Sequence, residues 1–154
     1  MTNIVSFQPK QPPMGARDLV ELLQTLKAFA LVASAQAEKA KTLDKLIGVY
    51  ANWLRRYYEL SGAIGQAYQE ATKDVRHRGT DADEDRIDNI VDCMTELEAR
   101  INGPHPWLSL PSRRRAQERI VLILGFAATS LTKAIETAEL IGKPAPRPEP
   151  GGAA

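Results

Sequence analysis

The side chains of this chain that could do chemistry are densest in "DADEDRIDNIVD", residues 81–92. Asp81, Asp83, Asp85 and Asp92 fall on positions 1, 3, 5 and 12 of a calcium loop. Such a loop needs glycine at position 6 for its sharp turn and a bidentate glutamate at position 12. Arg86 and the shorter Asp92 stand there instead, so calcium is not expected. The plainer reading is electrostatic: acidic side chains gather in the first turn of a helix because the macrodipole favours them.

The other reactive residues are isolated. His77 in "VRHRG" and His105 between two prolines have no second histidine at ligand spacing, and no Glu-x-x-His pattern occurs. Cys93 is the sole cysteine, which excludes an internal disulfide or a thiolate cage. Its position at the edge of an apolar stripe reads as packing. Ser130 has no histidine nearby in sequence, and no "GK[ST]" phosphate loop is present. A non-catalytic role without metal or cofactor is the expectation. An enzyme of an unrecognised helical type is a remote alternative, needing a pocket that unites a histidine with distant acids.

The sharpest anomaly is basic. "PSRRRAQER" puts Arg113, Arg114 and Arg115 in the first turn of a helix and Arg119 one turn on, where positive charge opposes the macrodipole. Something else must favour them. One candidate is pairing, within or between subunits, with the acidic segment 81–98, whose one arginine and eight acids give 1 − 8 = −7. The others are a protein partner and phosphate-rich nucleic acid. Beside the arginines, "GPHPWLSLP" carries Trp107 and Leu108, which either dock on the fold or are displayed. If displayed, they and the arginines have the composition of a binding hot spot. Trp107, Leu108, Arg113, Arg114, Arg115 and Arg119 are therefore the candidate partner-binding surface.

The elements that must position these residues are helical. Leu19, Leu22, Leu23, Leu26, Phe29, Ala30 and Ala33 recur at three- and four-residue steps. A second stripe runs from Leu43 through Tyr50, Trp53, Leu54, Tyr57 and Ile64 to Val75. A third joins Ile87, Ile90, Met94, Leu97 and Ile101, and a fourth runs from Ile120 to Ile141. Asp81 with Glu84 resembles a capping box, Asn102-Gly103-Pro104 ends the third helix, Ser112 caps the fourth, and Gly142 with Pro144 closes it. Gly48, Gly62 and Gly65 suggest a bend or a close helix contact in the second segment.

Two architectures remain open. The seven-residue repeat passes through "SAQAEKAKT", residues 34–42, without a slip, so residues 17–75 could form one rod in a coiled-coil-like dimer. The alternative is a hairpin turning between Ser34 and Thr42, where the stripe weakens to alanine and glutamine. Either way the fold is all-α, a four-helix bundle or a long-helix dimer. Residues 1–16 and 143–154, rich in proline or glycine, are expected to be disordered around a single helical domain, 17–142.

The uncharged run between Arg119 and Lys133 reaches only about 20 Å as helix, short of the ~30 Å of a bilayer core. No membrane span is expected. A helix apolar all round is surrounded, by its own bundle or by another chain. Leu122 and Phe126 here, with Tyr50, Trp53, Leu54 and Tyr57 on the second stripe, are the candidate oligomer interface. Hydrophobic residues at 44%, charged residues at 25% and a net charge of +1 describe a globular chain with no global drive toward nucleic acid or anionic lipid. The expectation is a scaffold, adaptor or regulatory protein, homodimeric and cytoplasmic, that binds another protein. A nucleic-acid-binding regulator using Arg113–Arg115 is the alternative.

Overall fold

The reversal between the first two stripes occurs where no glycine or proline marks it. In the computed structural model, which describes residues 15–78, 80–102 and 112–143, α1 spans Ala16–Lys39 and α2 spans Leu43–Arg78. Ala40 leaves the helical region at φ −69°, ψ 126°, and the Thr42 hydroxyl accepts a hydrogen bond from the Lys45 amide at 3.2 Å, capping α2. The two helices form an antiparallel hairpin, in which Arg56 stacks over the Phe29 ring at 5.1 Å. The continuous rod is thereby excluded.

Two further helices, α3 (Asp81–Ile101) and α4 (Arg113–Glu139), complete an all-α bundle without strands among the described residues. α1 packs against both α2 and α4, and α4 also packs against α3, whereas α2 and α3 meet only lightly. The core joins Leu19, Leu23 and Leu26 of α1, Tyr50 and Trp53 of α2, Leu97 of α3, and Ile120, Leu124 and Leu131 of α4. Burying each such side chain contributes roughly 1.5–3 kcal/mol.

By length and composition alone, α4 would pass for a helix that crosses a membrane. In the fold its inward residues are buried against α1 and α3, the position of a bundle's core helix. Gly48, Gly62 and Gly65 do not serve the bend or close contact expected of them. α2 runs unbroken past all three, and a Cβ at each would meet nothing within 4 Å.

Local chemistry sets the helix ends. Thr80, rather than Asp81, caps α3: its backbone is extended and its side chain accepts from the Asp83 amide at 3.3 Å. Ser112 caps α4 as expected, accepting from the Arg115 amide at 3.3 Å. Past α4 the chain turns at Gly142, whose φ of +87° lies in the left-handed region. A Cβ there costs roughly 1–2 kcal/mol. Gly142→Ala is expected to lower the thermal midpoint by a few degrees, while Gly142→Asn, which tolerates that region, should lose less. Of the ends expected to be disordered, Ala16 already begins α1, and residues 1–14 and 144–154 lie outside the described residues, as do Gly79 and the Gly103-Pro104 stop.

Candidate functional site

The arginines at the start of α4 divide by role. The Arg113 guanidinium donates to the Ala40 carbonyl at 3.2 Å and to Gln117 Oε1 at 3.0 Å. Gln117 Nε2 in turn donates to the carbonyls of Ala37, Glu38 and Ala40 at 2.8, 3.0 and 3.2 Å. They lie at the end of α1, where carbonyls run short of helical amides; that of Ala37 also accepts from the Ala40 amide at 3.3 Å. A cation at a helix C-terminus is favoured by the dipole, so Arg113 serves α1 at the expense of α4. Arg114 lies 3.9 Å from Glu118, with both side chains largely exposed. Such a pair contributes little. Arg115 and Arg119 are exposed and pair with no described residue.

Among the described residues no ion pair joins this cluster to the acidic stretch of its own chain, and direction keeps the acid-rich start of that stretch away from it. α3 and α4 are antiparallel: Asp83 meets Gly142, and Arg100 stacks on Phe126. The acid-rich start of α3 therefore sits at the far end of α4, a helix of 27 residues and about 40 Å in length. Trp107, Leu108 and His105 lie outside the described residues.

The residues expected at an oligomer interface separate as well. Tyr50, Trp53 and Tyr57 are buried within the single chain, and Leu54 is half-buried against the same core. A second chain does not reach the three buried rings, so their apolar stripe is covered by α1 of the same molecule. Leu122 and Phe126 are 50% and 39% exposed. With Arg115, Arg119, Thr129 and Lys133 they follow one another at steps of three and four, which is a single outward stripe. Arg100 lies 4.1 Å from the Phe126 ring centroid and bounds this stripe on the α3 side.

A buried ion pair was not legible in the sequence. Asp83 and Arg86 meet at 2.7 Å, with their side chains 7% and 8% exposed. Arg86 also donates to the Leu140 and Lys143 carbonyls at 2.6 and 2.7 Å, while Asp83 accepts from the Gly142 amide at 3.1 Å. The pair ties the start of α3 to the end of α4. Arg86, which disqualified the calcium loop, is thus the clamp of the α4 terminus.

Where α2 and α3 meet lightly, a groove of ≈ 420 Å³ opens between them. Leu19, Ile64 and Ile90 form its floor, Tyr57, Tyr58, Tyr68, Val91 and Met94 its walls, and Ser61, Thr95, Glu98 and Asn102 its polar margin. Burial, helped by Glu98 and Tyr58, pushes the Tyr57 phenol above its ordinary range. Burial also raises the Cys93 thiol, an effect that Lys133 opposes and Glu96 and Asp92 reinforce. Cys93 is therefore a poor nucleophile at neutral pH, in line with the packing role expected of it. His77 is exposed, and among the described residues no group of three or more histidine, cysteine or acidic side chains could hold a metal ion. No family model matches the chain, and no curated protein or solved structure is found to be similar to it.

Proposed function

We propose that the chain is a non-catalytic helical module, an adaptor or regulatory protein of the cytoplasm, which acts by binding proteins and self-associates through the outer face of α4. The observation that carries this reading is the exposure of Leu122 and Phe126 midway along a stripe that begins with the exposed Arg115 and Arg119. Large apolar side chains ringed by arginine are the usual core of a binding surface.

Charge placement supports a second copy as the first partner. Within one chain, the basic start of α4 and the acidic start of α3 lie at opposite ends of neighbouring antiparallel helices. A two-fold axis near Leu122 and Phe126 would set each basic end against the other copy's acidic end, a self-complementary contact. The intersubunit pairing expected from sequence would then be met where the intramolecular one cannot.

Light scattering on the eluting protein tests this. The wild type should have a mass near twice 17.0 kDa, decreasing toward the single-chain value at high salt as the charge pairs are screened. Leu122→Glu combined with Phe126→Gln should be monomeric with unchanged helicity. A wild type that is monomeric at all accessible concentrations sinks the self-association. The exposure of Arg114, Arg115 and Arg119 favours one second reading, a nucleic-acid contact. Binding to duplex DNA whose affinity falls steeply with salt would select it.

A further inference from the structure

We propose that the groove between α2 and α3 is a binding site for a small lipophilic cation, a molecule with an aromatic or aliphatic body and a weakly hydrated positive charge. The site shares no residue with the outer face of α4 and does not depend on the function proposed above.

The groove exists because α2 presents Ser61 and Gly65 where a bulkier residue would fill the gap toward α3. Its volume, ≈ 420 Å³, is in the range of small-molecule sites, roughly 300–1,000 Å³.

The lining chooses the charge. Leu19, Ile64 and Ile90 offer an apolar floor, and the Met94 thioether adapts to irregular shapes. Among the described residues, no lysine or arginine lines the groove, and the one carboxylate is Glu98 at the margin. Tyr57 and Tyr58 stand edge to face at 5.3 Å and 75°. Aromatic rings in a lining attract a cation. Glu98, at the exposed margin, places a negative charge where a ligand would enter, so of two lipophilic ions the cation is favoured: it meets the apolar floor, the rings and the carboxylate at once.

The test uses two ions of nearly identical shape and opposite charge, tetraphenylphosphonium and tetraphenylborate, titrated calorimetrically into the full chain. Tetraphenylphosphonium should bind at one saturable site, at least about tenfold more tightly than tetraphenylborate, a difference of ~1.4 kcal/mol. Glu98→Gln should weaken the cation roughly tenfold and leave the anion unchanged, as expected for one charge-dependent contact. Gly65→Leu should abolish binding. A Cβ at Gly65 meets nothing within 4 Å, so this variant fills the groove, and leucine is the better helix former, so the fold should hold. Equal affinity for the two ions, no binding of the cation, or binding that survives Gly65→Leu would each overturn the assignment. A change of particle mass in Gly65→Leu would also overturn it, because the groove would then belong to a second copy of the chain.

Discussion

Arg86→Leu is expected to cost about 3–5 kcal/mol of folding stability, the range for removing one partner of a buried ion pair. A domain of this size has about 5–15 kcal/mol in total. The side chains of Asp83 and Arg86 are 7% and 8% exposed, so water does not compensate when one is removed. Losing the guanidinium leaves the Asp83 carboxylate with the Gly142 amide alone, and leaves the Leu140 and Lys143 carbonyls without their 2.6 and 2.7 Å donor. Two of the deleted bonds run to backbone at a helix C-terminus, where a cation is also favoured by the dipole. Arg86→Lys keeps the charge, but its ammonium sits nearer the backbone than the Nη1 from which the three contacts run, so it should recover only part of the loss. Urea denaturation reads the effect as a lowered midpoint with little change of slope. A loss below about 1 kcal/mol, the value of an exposed pair, would mean that the clamp is open to solvent and the argument is wrong.

This clamp also shows where sequence reading ran out. The four helical stripes and the Ser112 cap were legible because each depends on residues within a few positions of one another. Arg86 was not, since its acceptors are carbonyls 54 and 57 residues away that any residue type would supply. Arg113 was anomalous for the same reason: its partner is the Ala40 carbonyl, 73 residues distant. The hairpin was half-legible. The corner at Ala40–Thr42 lacks glycine and proline, and its one marker is a capping threonine that also suits a helix interior. The alanines at which the stripe weakens between Ser34 and Thr42 have a positive role. Ala37 and Ala40 share the core cluster with Tyr50 and Trp53, and small residues on one helix leave room for large rings on the next. An apolar stripe records that something covers it, but not whether that cover is the same chain or another. Tyr50, Trp53 and Tyr57 were therefore placed at an interface that α1 already occupies. The groove was illegible because Ser61 and Gly65, which leave it open, mark no gap until α3 is placed across from them.

Trp53→Ala should be the other severe change, costing about 3–5 kcal/mol for the lost transfer energy and the cavity left behind. Trp53 is the largest of the fully buried side chains, and α1 and α2 close around it with no partner chain to rearrange. Trp53→Phe should behave quite differently. The indole Nε1 is buried with no hydrogen-bond partner among the described residues, a state that costs about 1–3 kcal/mol. Phenylalanine removes that donor while keeping an aromatic ring to face Tyr57, whose centroid lies 6.4 Å away. Relief of the unmatched donor offsets part of the lost volume, so the net cost should stay below about 1.5 kcal/mol. Thermal denaturation of the two variants separates the terms. If both fall equally, the indole is held by a hydrogen bond after all. If only alanine falls, packing alone sets the position. The second outcome carries a consequence for the groove, because Trp53 backs Tyr57 and Tyr57 is one of its walls. Trp53→Ala would then weaken tetraphenylphosphonium binding without touching the ligand, and Trp53→Phe would leave it intact.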